Sequence, residues 1–424
     1  MDSEYDVVVV GAGAAGIAAA RILQEKRANY CLLEAKPRLG GRAWTDTKTF
    51  SGLPLDKGCQ WLHCASRNPL TAFADANGFA YDSSFSFQNK QFVNVGKGFD
   101  AGASALVDNA VETGLRLIEE AGVRGLDVSA ASVVNGVDWE RWYPVFTHIV
   151  GLITSALPDQ LSTLDYWRGD ETGEDYPVRN GLGALVCKLG EGLRVHLSTS
   201  VSHINWSGST VRILTEQGTI RAKSVILTVS TSVLNAQRIG FTPPLPSETS
   251  TAISNCMLGC CEKVAFLLDS PFDELHHNSY VTVVDSAAQH AVPVSLYINP
   301  FGRPVVIADL AGSYMADLVE EGSPALIGAA TEAMVGAFGS DIRNKILTST
   351  ATQWTTDKHI LGAYSYAKPG YASDRLALSN PIGDRMFLAG EAVSSEAYAS
   401  CHGAFLSGIE AAEKALRSIA ATGY

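Results

Sequence analysis

The sequence of 424 residues has little charge and no run of basic residues. Charged residues make up 18% of it, and 32 Lys and Arg against 44 Asp and Glu leave a net charge of −12. Because proteins that hold the nucleic-acid backbone need clustered Lys and Arg, nucleic acid is not expected as a partner. A negative surface attracts cationic small molecules instead.

Cysteine is sparse as well. The eight cysteines are scattered, without a CxxC pair or a spacing to histidine that is typical of zinc sites. This pattern excludes a disulfide scaffold and predicts no metal site. It favours reduced thiols and a cytoplasmic location.

No window of about 18 uncharged apolar residues occurs, so no membrane span is predicted. The apolar stretch from Val7 to Ala20 is preceded by Asp2, Glu4 and Asp6, where a secretory signal would be basic. We find no internal repeat and no low-complexity segment. With 46% hydrophobic residues, the chain is expected to fold into two or three domains with a large buried core.

The first 34 residues have the pattern of a βαβ unit. Tyr5–Val10 is an apolar, β-branched run, Gly11-Ala12-Gly13-Ala14-Ala15-Gly16 follows, and an Ala-rich helical stretch leads to a second strand that ends at Glu34. The glycines let the backbone approach a pyrophosphate at the helix N-terminus, and the acid accepts ribose hydroxyls. The pattern predicts a dinucleotide site.

A second glycine-rich segment, Arg38 to Arg42, follows this unit directly. It would place another backbone segment and a planar guanidinium against the pyrophosphate. Glu34 alone does not distinguish NAD from FAD, but this second segment favours FAD.

With these motifs the sequence resembles the flavin-containing amine oxidases, which include monoamine oxidase, polyamine oxidase and the histone lysine demethylases. The resemblance covers Val7 to Arg42, the segment from Asp56 to His63, and two closing segments, Phe387 to Glu391 and His402 to Gly408. It implies FAD, bound without a covalent link because Gly362 or Ala363 stands where monoamine oxidases carry the flavin-linked cysteine.

The resemblance also implies a set of cofactor contacts spread along the whole chain. These are Gly11, Gly13, Ala14, Ala15, Gly16, Glu34, Ala35, Gly41, Arg42, Gly58, Gln60, Trp61, Val201, Trp354, Gly390, Glu391 and Ser400. For Val201, which matches a backbone contact to adenine, an ordinary buried strand valine is an equal alternative.

Lys263 is the candidate catalytic residue. It lies in the apolar run from Met257 to Phe266, where burial of an ammonium group is costly and needs a reason. The resemblance makes it the lysine that is bridged by water to flavin N5, which favours reaction with oxygen. The alternative is a solvent-facing lysine on an edge strand.

Four residues are candidates for substrate contact. His63 matches a histidine of polyamine oxidases, and Tyr364, Tyr366 and Tyr398 are candidates for aromatic cage walls that attract an amine. The second wall of the family cage aligns with Ser400, so the cage is incomplete or rebuilt here. Ordinary core packing is the alternative for each tyrosine.

Together these features predict an FAD-dependent oxidase of a primary or secondary amine, with a polyamine as a possible substrate and hydrogen peroxide as a product. A flavin desaturase or dehydrogenase of an apolar substrate, and a flavin-binding protein without turnover, are the alternatives. The substrates are then a small-molecule amine and molecular oxygen. The oligomeric state is not readable from the sequence.

The predicted fold class is α/β, with a doubly wound, Rossmann-like FAD-binding domain and an inserted substrate domain of mixed sheet and helices. We predict FAD-binding parts at 1–65, 180–235 and 353–424. The substrate domain takes 66–179, which is mostly helical, and 236–352, which mixes sheet and helix.

Overall fold

The fold is seen in a computed structural model that describes residues 4–87, 91–95, 98–99, 101–139, 142–272, 277–285 and 292–421. Its strands are β1 (Glu4–Val10), β2 (Tyr30–Leu33), β3 (Thr45–Asp46), β4 (Leu55–Asp56), β5 (Trp61–Leu62), β6 (Gln91–Asn94), β7 (Gly98–Phe99), β8 (Tyr176–Pro177), β9 (Val195–His196), β10 (Val201–Asn205), β11 (Val211–Thr215), β12 (Gly218–Leu227), β13 (Gly240–Thr242), β14 (Cys256–Leu258), β15 (Cys261–Leu268), β16 (Ser279–Val284), β17 (Val294–Ile298), β18 (Val305–Ala311), β19 (Ile346–Ala351), β20 (Ser365–Ala367) and β21 (Met386–Leu388).

Helices connect the strands and cover the sheets. They are α1 (Ala14–Glu25), α2 (Pro69–Ala76), α3 (Ala101–Val123), α4 (Ala130–Val134), α5 (Tyr143–Thr154), α6 (Thr163–Arg168), α7 (Leu182–Leu189), α8 (Thr231–Asn235), α9 (Ser247–Asn255), α10 (Met315–Glu321), α11 (Ser323–Phe338), α12 (Ile342–Lys345), α13 (Asp374–Ala377) and α14 (Cys401–Ala421). Among the described residues, no helix combines the length and apolar character needed to cross a membrane.

The first sheet has the strand order β13-β10-β11-β12-β1-β2-β9, and β21 also pairs with β12. Its central strands β21, β12, β1, β2 and β9 are parallel. Both faces are covered, which suits the uninterrupted valine run of β1. The predicted α/β class with a doubly wound sheet is confirmed.

Helices α1 and α14 pack together on one face of this sheet, over Val7 and Val9. Their approach is very close, because a Cβ atom at Gly408 would lie 2.1 Å from the carbonyl oxygen of Ala15. The first and last helices of the fold therefore form one layer.

The second sheet is antiparallel for the most part, with the order β19-β15-β18-β17-β16-β6-β7. Alternate residues such as Val264 and Phe266 pack under α10 and α11. The intervening residues, Lys263 and Ala265 among them, belong to the opposite face. Part of that face, including Ala265, packs against the chain around Trp61.

The structure corrects the predicted elements in two places. The strand β6 lies in the region predicted to be helical, because its four residues pair with β16, about 190 positions away, which no local pattern reveals. The sequence pattern also predicts separate strands at Thr219–Ile220 and Ser224–Val229, but the structure has one strand, β12. Its first half alternates between exposed and buried residues before both faces become covered.

The sheets also cross the predicted segment limits. Gly240–Thr242 pairs in the first sheet although it follows residue 235. Strand β20 pairs with β14 across the predicted limit at 352. The helical region packs as α3, α4 and α5 around Val111, Phe146 and Val150.

Candidate active site

The turn after β1 is shaped by its glycines. Gly11 has a φ of +102°, and a Cβ atom at Gly16 would lie 1.8 Å from the carbonyl oxygen of Gly11. At Gly13, which precedes α1, no side chain caps the helix, and an added Cβ would meet no atom closer than 3.8 Å. The helix thus begins with unpaired N–H groups next to open space, as at an anion site.

Glu34 ends β2 beside this turn. Its Oε2 accepts a hydrogen bond from the backbone N–H of Ala12 at 2.7 Å, and its Oε1 accepts one from that of Lys36 at 2.8 Å. These contacts fix the carboxylate next to the turn and leave it further lone pairs. Ala35 follows it, half-buried.

The second glycine segment lies against the first. The N–H of Gly40 donates to the carbonyl of Ala12 at 2.8 Å, and a Cβ at Gly41 would lie 3.2 Å from the Cα of Gly13. Arg38 donates through Nη1 to the carbonyl of Gly41 at 2.9 Å. These backbone contacts place the two glycine-rich segments next to each other.

Arg42 is fixed by the last part of the chain. Its Nη1 donates to Glu391 Oε1 at 2.9 Å and to the carbonyl of Ala363 at 2.7 Å. Ser365 donates to Glu391 Oε2 at 2.6 Å. Burial alone would raise the pKa of Glu391, but Arg42, Ser365 and Arg375 together lower it. Glu391 is therefore a buried carboxylate held in its charged form.

A buried ion pair that the sequence did not reveal supports this network. Arg375 is 1% exposed and binds Asp165 of α6 with two hydrogen bonds of 2.8 Å. It also donates to Ser365 Oγ at 2.8 Å, and its guanidinium lies 4.0 Å from the ring centre of Tyr398. The network thus connects the helical region with Glu391.

The N-terminus of α14 lies close to the same network. Ser400 caps this helix by accepting from the N–H of Gly403 at 3.0 Å. Gly390 has a φ of +140° and open space where a Cβ would be. Its N–H donates to Ser407 Oγ at 2.9 Å. This hydrogen bond joins the end of strand β21 to helix α14.

The segment from Gly58 to Trp61 is packed tightly. A Cβ at Gly58 would lie 1.6 Å from the carbonyl oxygen of Arg42. Trp354 holds the segment by donating from Nε1 to the carbonyl of Lys57 at 2.9 Å. Trp61 stacks on Phe85 with ring centres 4.7 Å apart.

Lys263 begins a row of polar side chains across the second sheet. The strand register places Lys263 opposite Asp309, Asp309 opposite Ser295, and Ser295 opposite Thr282. Lys263 Nζ donates to Gln60 Oε1 at 2.5 Å and lies 3.7 Å from Asp309 Oδ1. The lysine is therefore an inward-facing residue of a central strand, and the edge-strand alternative does not hold.

His63 forms a pair with an acid. Its Nδ1 lies 2.6 Å from Asp175 Oδ1, and a carboxylate oxygen of exposed Glu171 completes a group of three donor atoms within 4.8 Å of one another. Burial opposes a charge on His63, but Asp175 and Glu171 raise the pKa of His63 above its ordinary value. The His63 imidazole therefore keeps its proton to a higher pH than an ordinary histidine.

The three candidate tyrosines are engaged with protein groups. The Tyr364 hydroxyl donates to the carbonyl of Leu152. Tyr366 packs in the helical cluster beside Phe146. The Tyr398 hydroxyl donates to the Asp165 carbonyl at 2.8 Å. Tyr364 is the one whose neighbours include Cys261, next to the polar row, whereas Tyr366 and Tyr398 lie among structural groups.

Val201 lies apart from the other candidates. It begins β10 and is 7% exposed in the core behind β1. A buried side chain is compatible with either alternative for this residue.

Three buried polar atoms test whether these residues fit a flavin dinucleotide. Six atoms of the described side chains are buried without a hydrogen-bond partner. Thr71 Oγ1, Arg168 Nη1 and Thr231 Oγ1 are not in the predicted set of cofactor contacts, whereas Arg38 Nη2, Gln60 Nε2 and His402 Nδ1 lie in the segments that resemble the family's flavin-binding motifs. These last three belong to the pyrophosphate segment, the segment next to Lys263 and the first turn of α14. Because buried donors and acceptors are normally paired, these atoms fit a ligand that extends from the Gly11 turn to Lys263.

Comparisons with known proteins agree with this geometry. The family model described as flavin-containing amine oxidoreductase matches residues 14–131 and 127–416. Lysine-specific histone demethylase 2 of Homo sapiens is 27% identical over 438 residues, which cover 96% of this chain and 53% of that protein. The chain thus spans about half the length of that relative.

Two further relatives extend over most of both chains. Probable polyamine oxidase 4 of Arabidopsis thaliana is 28% identical over 459 residues, which cover 97% of this chain and 87% of that protein. A solved structure of wild-type putrescine oxidase bound to putrescine superposes with a TM-score of 0.80 at 21% identity, covering 98% of this chain and 100% of that one. These matches favour amine oxidation over both alternatives, the flavin desaturase and the binding protein without turnover.

Proposed function

The chain belongs to the flavin-containing amine oxidoreductase family, and from this premise we propose that it oxidises a diamine or polyamine with molecular oxygen as the acceptor. It is an FAD-dependent oxidoreductase that acts on amines, and its FAD is not covalently bound. The observation that carries the proposal is that Lys263 and Gln60 contact each other at the cofactor segment.

The proposed reaction balances as follows. Two electrons and two protons leave the amine as its C–N bond becomes an imine. Water then converts the imine to an aldehyde and releases ammonia from a primary amine, or a smaller amine from a secondary amine. Oxygen takes up the two electrons and two protons and leaves as hydrogen peroxide. Bound FAD supplies the acceptor that separates these two half-reactions.

We propose the cofactor contacts that the resemblance implies. The turn around Gly11 and the guanidinium of Arg42 would hold the pyrophosphate, Glu34 the adenosine ribose, and Val201 the adenine. The segment from Gly58 to Trp61 would contact the flavin, with Trp354 behind it. Gly390, Glu391, Ser400 and the start of α14 would hold the flavin end, where a helix N-terminus stabilises negative charge.

Lys263 is proposed as the catalytic residue. Its ammonium group, held by Gln60, would stabilise the negative charge that develops on oxygen as oxygen takes up an electron. No separate general base is assigned. An aliphatic amine has a pKa near 10.4 in water, and a desolvated pocket favours the neutral form that reacts.

The substrate class rests on charge. His63, Asp175 and Glu171 form an acidic group close to the predicted flavin segment, and the chain carries −12 overall. These charges support a substrate with a second cationic nitrogen. The names of two similar proteins, a polyamine oxidase and a putrescine oxidase, support the same substrate class.

Tyr364 is the proposed aromatic wall, because it lies closest to the polar row. Tyr366 and Tyr398 stay proposals of lesser weight, since protein groups already surround them. We also propose a cytoplasmic location, which the eight unpaired cysteines support.

The test is an anaerobic titration of the holoenzyme with putrescine, spermidine, spermine, benzylamine and several L-amino acids. We expect putrescine or a polyamine to bleach the flavin absorbance, and air to restore it with release of peroxide. The Lys263→Met variant should still be bleached but should reoxidise roughly 10²-fold more slowly.

Arg343→Met, at an exposed site, serves as the matched control. Bleaching by L-amino acids alone would reject the polyamine substrate class. Reoxidation of Lys263→Met at the normal rate would reject the role of the lysine.

A further inference from the structure

Asp309 is the carboxylate that faces Lys263. The two residues are directly opposed in the antiparallel pairing of β15 with β18, and Lys263 Nζ lies 3.7 Å from Asp309 Oδ1. Asp309 is 6% exposed in a strand whose other residues are apolar or small. A buried carboxylate in such a strand needs a positive partner.

A second group fixes the orientation of this carboxylate. The hydroxyl of Tyr280 donates to Asp309 Oδ2 at 3.0 Å, which leaves Oδ1 towards the lysine. Burial and Asp309 raise the pKa of Tyr280 well above its ordinary value, so Tyr280 stays a donor. Further along the row, Ser295 is held by His148 Nε2 and by Thr282 Oγ1, each at 2.9 Å.

The other titratable groups around Lys263 do not replace Asp309. Burial raises the pKa of Cys261, Tyr364 and Asp56. The Cys261 thiol and the Tyr364 hydroxyl are therefore neutral. Asp56 is occupied by Thr45 and by the first N–H groups of α7. His63, the remaining neighbour, is bound to Asp175. On the opposite face, the Glu262 carboxylate accepts from Thr352, Trp354 and Thr355.

We propose that Asp309 is a positioning residue that, held by Tyr280, keeps Lys263 charged and thereby sets the pH range in which the reduced cofactor reacts with oxygen. This inference rests on the proposed role of Lys263. Without Asp309, the described residues would leave the ammonium the Gln60 side-chain carbonyl as its hydrogen-bond partner and no carboxylate in an ion pair with it. Such a group loses its proton at lower pH.

The experiment compares Asp309→Asn, Asp309→Glu and the wild type as holoenzymes. Light reduces the flavin in the presence of EDTA, so that no amine is needed, and reoxidation by dissolved oxygen is followed from pH 6 to 10. We expect the rate of Asp309→Asn to decline with rising pH at a midpoint at least about one pH unit below that of the wild type. Asp309→Glu should restore most of the wild-type profile.

A second measurement needs no activity. Competitive labelling with acetic anhydride, read by mass spectrometry, gives the pH at which Lys263 becomes reactive, and this pH should also move down in Asp309→Asn. Thr282→Val removes a hydroxyl from the same row and is expected to leave both readings unchanged.

The proposal is overturned if Asp309→Asn keeps the wild-type labelling profile at Lys263. It is also overturned if labelling shifts but the reoxidation profile does not. If no amine reduces the wild type, the proposed function fails while the two readings at Lys263 still decide the role of Asp309.

Discussion

At the residue scale, the pair of His63 and Asp175 determines a charge in the proposed substrate site. Asp175 raises the pKa of His63, so the imidazolium persists to a higher pH than in a free histidine. In Asp175→Asn this support is lost, and burial then lowers the pKa of His63. We expect the limb of the pH profile of kcat/KM that reports His63 to move to lower pH by about one unit.

NMR titration of the His63 ring would measure the same shift directly. Glu171→Gln is the matched control, because Glu171 is exposed and solvent screens its charge. An equal shift in both variants would contradict the assignment of the effect to Asp175.

Site residues could be predicted from the sequence where the residues next to them in the chain form a recognisable motif. Gly11, Glu34 and Arg42 lie within one short stretch, and the backbone brings them together over a local turn. Asp165 and Arg375 form an ion pair although they are 210 positions apart in the chain, and no motif near either residue indicates this pair. Asp309 could have been identified as a candidate from the sequence, because a carboxylate in the apolar run Val305–Ala311 is as unusual as Lys263 in its own strand.

At the scale of elements, the ion pair of Asp165 and Arg375 joins α6 to the end of the chain. Both side chains are at most 2% exposed. Arg375→Met leaves the Asp165 carboxylate buried without its cation, and breaking such a pair costs roughly 3–5 kcal/mol. We expect this loss in the free energy of unfolding, together with weaker FAD binding, because Ser365 and Glu391 lose their support.

Urea unfolding and FAD titration of the apoprotein would measure the two effects. Arg343→Met removes an exposed pair with Glu332 and should change stability by less than about 1 kcal/mol. Equal costs in the two variants would show that burial does not set the strength of the Asp165 pair.

Elements with a strong local period were predicted well, and those that depend on partners were not. Helix α1 (Ala14–Glu25) lies where the Ala-rich stretch between the first two predicted strands indicates a helix. Strand β6 has four residues and two polar ends, so its pairing with β16 and β7 makes it a strand. The same holds for β20, which becomes a strand beside β14.

At the scale of the whole molecule, three distant parts of the chain meet at the proposed cofactor site. The turn at Gly11, the segment at Gly58 and the junction at Gly390 meet through Arg42 and its partners. A ligand that binds all three parts stabilises only the folded state. At a free concentration of 100 times Kd this linkage contributes about 2.7 kcal/mol.

We therefore expect the apoprotein to melt at a lower temperature than the FAD complex in calorimetry. FMN is the matched control, because it lacks the adenosine that Glu34 would bind, and it should give a much smaller increase in Tm. An equal increase with both flavins would remove Glu34 and the Gly11 turn from the site.

The overall architecture was predictable because the family motifs lie at both ends of the chain and the central strands are apolar. The segment limits were not, because strands such as β13 join a sheet by pairing rather than by a change in composition. Ser400, where the resemblance leaves the aromatic cage incomplete or rebuilt, caps α14 with its hydroxyl.

The layer formed by α1 and α14 has a consequence for biosynthesis. Helix α1 is complete at Glu25, but its partner α14 and the strand β21 are translated only after residue 385. Throughout this interval, the nascent chain carries α1 without the helix that packs on it and without Glu391. Cofactor insertion is then a late event, and the unfinished chain is a natural client for chaperones that shield apolar helices.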